Sequence, residues 1–311
     1  MSKLKDKYSH RSIKEAFGET MVELGADNPD LYIVSADLKT SLGLSHFAQK
    51  YPKRFIECGV AENNAAGVAA GLAKAGKTVF LCSFACFSPA INWATIKQSI
   101  AYNKLNVKIV GSHAGLMTAE LGATHQMLED VAIMRAMPNM EVLAPIDAVE
   151  TEKIMRVVAR SQKSAYLRLA GPESRVVYNS KLTFTIGKSY ILQKGKLVTV
   201  IGYGPIVIQA LELSDLRLEI INCSSIKPLD GKTILDSVRK TGRLICLEDH
   251  QKQGGLGEAV AGEILAAGIT SKFSHLGVNN SFGQSARDYR QLYDDYGIGI
   301  KSLKEAIEKI L

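Results

Sequence analysis

One stretch of the chain combines a lone carboxylate with a pair of aromatic rings. Glu62 stands in front of a helical run of small residues, 63–74, and Phe84 and Phe87 follow a short apolar segment, 78–83. A carboxylate at a helix N-terminus is stabilised by the helix dipole, and a ring pair can stack on a planar ligand. A capping acid and two core phenylalanines would give the same pattern. If Glu62 is buried beside a nitrogen heterocycle, its carboxyl can share a proton with a ring nitrogen.

The side chains with chemical potential fall at predicted strand ends. The first half of the chain alternates helical segments with continuous apolar strands, a pattern that predicts a parallel sheet covered by helices on both faces. Ligands of such sheets bind at the carboxyl ends of the strands. The residues at or just past these ends are Asp37, Glu62, Phe84 with Phe87, His113 and Arg168. We therefore expect a site at this edge.

Two histidines bracket a glycine-bearing loop in the same half of the chain. His113 precedes the loop and His125 ends it. Single loop histidines are usually structural or solvent-exposed, but a pair facing an arginine suits hydroxyl or phosphate recognition, or proton transfer near neutral pH.

The pattern predicts an α/β fold of two domains, each a mostly parallel sheet with helices on both faces. The first domain spans 1–175, a polar connection spans 176–194, and the second domain spans 195–311. Within the first domain we expect a long helix at 89–103 and a helix at 126–136. In the second we expect a helix at 205–214.

Composition excludes several classes of protein. The 311 residues carry a net charge of +7, but the basic residues are dispersed, so we expect no nucleic-acid partner. No apolar run approaches the length of a membrane span, and the N-terminus lacks the apolar core of a secretory signal. The cysteines are scattered and odd in number, which predicts a cytoplasmic location without disulfides or a zinc site. These residues are Cys58, Cys82, Cys86, Cys223 and Cys246.

The glycines at 202–204 do not form a dinucleotide-binding fingerprint. Gly202 and Gly204 fit the spacing, but Val207 stands where the third glycine belongs, and no acid ends the next predicted strand. The chain also shows no phosphate-binding loop and no metal-ligand cluster of convincing spacing.

Several motifs in order resemble the C-terminal half of a transketolase. They are SADL (35–38), GVAENNAAGVAAGLA (59–73), SFACF (83–87), GSHAG (111–115), GATHQ (122–126) and YLRL (166–169). The resemblance covers nearly the whole chain and includes a pyrimidine-binding domain and a smaller C-terminal domain. It implies an enzyme that uses thiamine diphosphate to transfer a two-carbon ketol unit between sugar phosphates of pentose phosphate metabolism.

The resemblance also implies roles for individual residues. Glu62 matches the glutamate that pairs with the aminopyrimidine ring nitrogen of the cofactor, and Phe84 and Phe87 match the aromatic wall of that pocket. Asp37 matches an acid near the cofactor. His125 matches a ligand of the donor sugar and, with Glu62, is expected to be catalytic. The residues implied for the sugar chain and its phosphate are Arg11, Ser41, His113 and Arg168.

Two departures from the family pattern stand out. The GlyAspGly…Asn motif, with which the family binds the diphosphate through Mg²⁺, is missing, so the chain resembles one subunit of a split transketolase. Such a subunit should be inactive alone. It should receive its Mg²⁺ ligands from an N-terminal partner subunit in an α₂β₂ heterotetramer. The second departure is Leu121, which replaces the aspartate that reads the donor hydroxyl, and a leucine cannot accept that hydrogen bond.

Two other hypotheses remain open at this point. The β subunit of a 2-oxo acid dehydrogenase has the same two-domain layout, although it does not usually carry the ThrHisGln pattern of residues 124–126. A fragment of a deoxyxylulose-phosphate synthase is a related but weaker hypothesis. A binding or regulatory subunit that has lost catalysis is supported by Leu121 and opposed by the intact Glu62 and phenylalanine pair.

Overall fold

The computed structural model describes residues 10–171, 173–213 and 216–311. Its largest sheet belongs mainly to the first half of the chain and is parallel except at one edge. With strands numbered in chain order, its spatial order is β12 (Ser225–Lys227), β6 (Met140–Leu143), β7 (Ser164–Arg168), β5 (Val107–Ser112), β4 (Thr78–Phe84), β2 (Leu31–Ser35) and β3 (Phe55–Glu57). The strands whose ends were expected to carry the site are therefore neighbours.

The second sheet is also mostly parallel. Its spatial order is β14 (Lys272–Val278), β13 (Arg243–Gln251), β10 (Thr199–Gly202), β11 (Glu219–Asn222) and β9 (Tyr190–Gln193), and only the pair of β9 with β11 is antiparallel. A separate antiparallel pair joins β1 (His10–Ser12) to β8 (Glu173–Arg175). The two-domain α/β architecture with mostly parallel sheets is confirmed.

Helices cover the sheets. In chain order they are α1 (Ile13–Asp27), α2 (Ser45–Lys50), α3 (Glu62–Lys74), α4 (Trp93–Thr95), α5 (Asp130–Ala136), α6 (Ala148–Arg160), α7 (Ile208–Leu211), α8 (Gly231–Thr241), α9 (Leu256–Ala266), α10 (Tyr289–Asp295) and α11 (Ile300–Ile310). None of the helices described here has the length and apolarity needed to cross a bilayer.

Alternation along the strands assigns each helix to a face. In β2, Ile33 lies in the apolar cluster with Phe17 of α1 and Val158 of α6, whereas its neighbour Val34 lies in the cluster with Ala66 of α3. Successive side chains of a strand point to opposite faces, so α1 and α6 cover one face of the large sheet and α3 covers the other. This confirms the expected helices on both faces.

Several predicted elements need correction. The helix expected at 89–103 begins only at Trp93 and continues as a π-helix over Ile96–Ala101, because the N–H groups of Phe87 and Ser88 both bond to Phe84 O and close turns instead. The helix expected at 126–136 begins only at Asp130, because Met127 forms a bridge with Ala114.

Further corrections concern the second domain and its connection. The segment predicted as a connection, 176–194, contains β9, which pairs with β11 because its partly apolar residues complete that sheet. The strand β14 was not predicted at all. The helix expected at 205–214 consists of a 3-10 turn, Pro205–Val207, followed by α7, and residue 214 lies outside the described residues. The domain boundaries themselves stay a prediction.

A buried carboxylate joins the two domains. Glu150 of α6 is fully buried and accepts hydrogen bonds from Ile146 N at 2.7 Å, from Asn222 Nδ2 at 2.9 Å and from Ser224 Oγ at 2.6 Å. Asn222 and Ser224 belong to the second domain. Burial raises the pKa of Glu150 to about 7, although these donors oppose the rise.

This raised pKa predicts a pH-dependent contribution to stability. Between the ordinary pKa of 4.5 and the raised value of about 7, folded Glu150 holds a proton that the unfolded chain has lost. The free energy of unfolding that this group contributes is therefore full below the ordinary pKa and falls as pH rises through the folded one. Glu150→Gln removes this titration. We expect the Tm of the variant relative to wild type to increase between about pH 5 and pH 8 in scanning calorimetry. A difference in Tm that is constant with pH would contradict this role.

Candidate functional site

The carboxylate of Glu62 is buried at the N-terminus of α3. The helix packs closely on the sheet through small side chains, Ala65, Ala66 and Ala69, which brings its first turn down to the edge of the strands. Glu62 is 8% exposed. Among the residues that the structure describes, no hydrogen-bond donor contacts its side-chain oxygens. These oxygens lack a partner but are not sealed from the surface, so this group is available to a ligand.

Four aromatic rings form a row beside it. The rings of Phe84 and Phe87 lie nearly parallel, with centroids 6.1 Å apart and planes 17° apart. His113 lies 4.1 Å from Phe84, and His125 lies 5.4 Å from Phe87 at a steep angle of 76°. The structure therefore brings together both predicted phenylalanines and both predicted histidines.

Cys86 shows that the row and the carboxylate are close together. Burial raises the pKa of the Cys86 thiol to about 12, and the charge of Glu62 acts in the same direction. Cys86 lies between Phe84 and Phe87 in the chain, so Glu62 is near this loop. A protonated thiol is not a nucleophile. A buried acid beside stacked rings fits a planar heterocycle that presents a ring nitrogen, such as an aminopyrimidine.

A cation that the sequence patterns did not indicate lies next to His113. Lys14, on the first turn of α1, lines a small cavity with Ser41 and His113. Ser112 Oγ lies 3.0 Å from Nδ1 of His113. Burial lowers the pKa of His113 to about 4, and the charge of Lys14 acts in the same direction. The imidazole is therefore neutral near pH 7. The one signal in the sequence that could have indicated Lys14 is its position three residues after Arg11, which was itself a predicted ligand.

A second residue missed at the sequence level holds the main chain of Glu62. Asn92 is fully buried, and its Nδ2 donates to Glu62 O at 3.0 Å. The N-cap residue of α3, Ala61, has no side chain that could cap this turn. Asn92 therefore helps to orient the first turn, and with it the acid. Nothing in the local sequence pattern marks Asn92, because its partner lies 30 residues away in the chain.

Two of the arginines predicted for the substrate site form ion pairs with acids of this chain. Arg168 is buried, with Nε 3.0 Å from Asp130 Oδ2, and Nη1 2.9 Å from Asp249 Oδ1. Its Nη2 donates to Asp249 O at 3.1 Å. Arg11 pairs with Glu19 at 2.5 Å and with Glu152. The guanidinium of Arg168 is thus enclosed by carboxylates from both domains, and its contact with the substrate stays a prediction.

The remaining predicted residues lie at the open side of the site. Asp37 is exposed just past β2, with a left-handed backbone (φ 59°), and its N–H donates to Glu57 Oε1 at 2.6 Å. Leu121 is 43% exposed and lines a broad groove together with His113 and Lys14. The groove therefore carries an apolar side chain at the position where the resemblance implied an aspartate.

One group of metal-ligand side chains occurs among the described residues. Potential ligand atoms of Cys246, Glu248 and His275 lie within 4.8 Å of one another. However, Glu248 is already bonded to His275 Nε2 at 2.7 Å, Tyr203 Oη at 3.1 Å and Leu256 N at 2.9 Å. These bonds occupy the carboxylate and give it a structural role in the core of the second domain.

Comparisons with known proteins agree with this fold. Residues 9–175 match the family model of the transketolase pyrimidine binding domain, and residues 187–303 match that of the transketolase C-terminal domain. The chain belongs to the transketolase family.

Individual relatives show which part of a transketolase this chain resembles. A Methanocaldococcus jannaschii protein described provisionally as a transketolase C-terminal section is 39% identical over 306 residues, covering 96% of both chains. A subunit of the apulose-4-phosphate transketolase of Phocaeicola vulgatus is 36% identical over 79% of this chain and 81% of its own. Human transketolase is 34% identical over 96% of this chain but only 49% of its own length.

A solved structure shares nearly the whole fold. It is described as a split gene transketolase, inactive beta4 tetramer, and it superposes with a TM-score of 0.87 at 36% identity over 96% of this chain and 98% of its own. The similarity to the C-terminal section and to this structure identifies the chain as a C-terminal subunit of the split transketolase type.

The arrangement around His113 predicts how that residue titrates. We expect the His113 ring protons to titrate with a pKa near 4 in NMR spectra. Lys14→Gln should raise this pKa, because it removes the nearby positive charge. Lys74→Gln, at an exposed position at the far end of α3, is the matched control and should leave the His113 titration unchanged. An unchanged His113 pKa in the Lys14→Gln variant would show that Lys14 does not face the imidazole.

Proposed function

We propose that this chain is the cofactor-pyrimidine half of a thiamine diphosphate-dependent transketolase. Together with a partner subunit, it transfers a two-carbon ketol unit between sugar phosphates in the cytoplasm. The observation that carries this proposal is the buried Glu62 carboxylate, without a donor among the described residues, next to the near-parallel rings of Phe84 and Phe87. The M. jannaschii and P. vulgatus relatives, named as a transketolase section and a transketolase subunit, support the same reaction class.

The residues of this chain hold and polarise the cofactor. Thiamine diphosphate, when bound, supplies an electron sink for the two-carbon unit. Glu62 shares a proton with a nitrogen of the pyrimidine ring, and exclusion of water strengthens that hydrogen bond. Phe84 and Phe87 fix the plane of the ring, and Asn92 keeps the first turn of α3 in place. Asp37 stands at the open rim.

The sugar lies on the histidine side of the ring row. Neutral His113, with Nδ1 bonded to the Ser112 hydroxyl, and His125, with Nδ1 2.9 Å from Thr124 Oγ1, keep their Nε2 atoms for sugar hydroxyls. Ser41 and Lys14 line a small cavity beside His113. Lys14 also lines the broad groove, where its charge suits the anionic end of the sugar, and Ser41 stays a predicted ligand. Arg11 is paired with Glu19 and Glu152 and stays a predicted ligand.

The site is completed by another subunit. Among the described residues we find no group that resembles a diphosphate or Mg²⁺ site. Val60 is 79% exposed and Ile91 is 57% exposed, and they flank Glu62 and Phe87. Exposed apolar side chains beside a half-formed site suit coverage by a partner. We infer an N-terminal subunit that supplies the Mg²⁺ ligands, in an α₂β₂ heterotetramer. The solved relative, whose tetramer of one subunit type is called inactive, supports this arrangement.

A catalytically silent subunit is the second candidate. Its support is Leu121, which removes an acceptor from the sugar side of the site. The intact set of Glu62, Phe84, Phe87 and His125 favours the active subunit. No observation favours the β subunit of a 2-oxo acid dehydrogenase over a transketolase.

Reconstitution tests the proposed function. The purified chain with thiamine diphosphate and Mg²⁺ should transfer no ketol unit between sugar phosphates, because it holds only one end of the cofactor. Addition of the partner subunit should restore transfer, measured by a coupled assay for the aldose phosphate product. Activity of the chain alone would contradict the half-site. A stable but inactive complex with bound cofactor would instead favour the silent subunit.

A further inference from the structure

A loop of the second domain forms one wall of the groove beside His113. Its main chain is tied to the first domain, since Ala286 N donates to Ala119 O at 3.0 Å, and Gln126 Nε2 donates to Gln284 O at 3.0 Å. The contact is close, because a Cβ added to Gly122 would lie 2.4 Å from Ser285 Oγ. The segment 284–287 is thus fixed against the turn that carries Leu121.

This loop brings an arginine to the groove. Arg287 follows Ala286 directly and lines the same groove as Lys14, His113 and Leu121. Within the part of the chain that the structure describes, neither Arg287 nor Lys14 forms a side-chain hydrogen bond or an ion pair. The neighbouring Arg290 is different, because it pairs with Asp288 at 3.1 Å and lies over the Tyr289 ring at 5.2 Å. Arg287 and Lys14 are therefore the cations available to a ligand.

The other cations considered for the sugar end are already neutralised. Arg168 faces two carboxylates, and Arg11 is held by Glu19 and Glu152. Three acids, Glu15, Glu120 and Asp288, also line the groove. Side chains of both charges suit a ligand with an anionic end and several hydroxyl groups, because carboxylates accept hydrogen bonds from hydroxyls.

We propose that Arg287 of the second domain binds the phosphate of the sugar substrate, opposite Lys14 of the first domain. A guanidinium binds phosphate through two parallel hydrogen bonds, which a single ammonium group cannot provide. Leu121 has removed an acceptor for a hydroxyl on the same wall, so the groove selects substrates by their charge more than by hydroxyl configuration. This inference rests on the proposed function and adds a specificity residue from the second domain.

The test compares a phosphorylated and an unphosphorylated substrate in the reconstituted complex. With an aldose 5-phosphate as acceptor, Arg287→Gln should raise KM by about tenfold or more, because hydrogen bonds to charged groups are strong. The value of kcat should stay near wild type. With the corresponding free aldose, KM should not change. Arg290→Gln is the matched control and should leave both substrates unaffected, because that guanidinium already pairs with Asp288.

The outcomes separate this inference from the proposed function. An equal change for both substrates, or no change for the phosphate ester, would overturn the role of Arg287. If the wild-type complex converts neither substrate, the proposed function is wrong. A calorimetric titration of the full chain with the aldose 5-phosphate then tests whether Arg287 binds the phosphate. In that titration, the wild type and Arg290→Gln should bind more tightly than Arg287→Gln. Equal affinities of all three proteins would overturn the inference.

Discussion

The site depends on one buried charge that the described part of this chain does not satisfy. Glu62 is held in the interior by a helix of small residues that lies tightly on the sheet, and Asn92 fixes its main chain. A donor that reaches this carboxylate would form a charge-assisted hydrogen bond, which is stronger than a neutral one. The near-parallel rings of Phe84 and Phe87 favour a donor on a flat group. The aminopyrimidine ring of the proposed cofactor would meet both conditions.

The second physical constraint is the ion cluster between the domains. Arg168 joins Asp130 of the first domain to Asp249 of the second, and a Cβ at Gly115 would lie 2.0 Å from Asp249 Oδ2. Such an enclosed cluster demands a defined relation between the domains, since removal of one partner leaves a buried charge unpaired. This relation places the loop that carries Arg287 beside the groove that Lys14, His113 and Leu121 line. The proposed role of Arg287 would make the second domain part of the site as well as of the fold.

Much of the architecture could be predicted because apolar runs and strand ends are local signals. The strand-end rule pointed to Glu62, which begins α3 after β3, and to the phenylalanine pair and His113, which end or follow the neighbouring strands β4 and β5. It did not anticipate the ion pairs of Arg168, because residue spacing does not show that two acids distant in the chain approach it. Lys14 and Asn92 were not predicted for the same reason, because their roles arise from contacts between segments far apart in sequence. The helix expected at 89–103 begins only at Trp93, because the chain before it forms turns whose N–H groups bond to Phe84 O.

The most direct measurement is the turnover of the reconstituted complex with Glu62→Gln. A glutamine keeps the size of the side chain but cannot share a proton with the ring nitrogen, so kcat should fall by roughly two to four orders of magnitude. The control, Lys74→Gln at the exposed far end of the same helix, should turn over like wild type. If Glu62→Gln retained near-wild-type turnover in a complex of unchanged Tm, Glu62 would not be the group that activates the cofactor, and the proposed role of this site would be wrong.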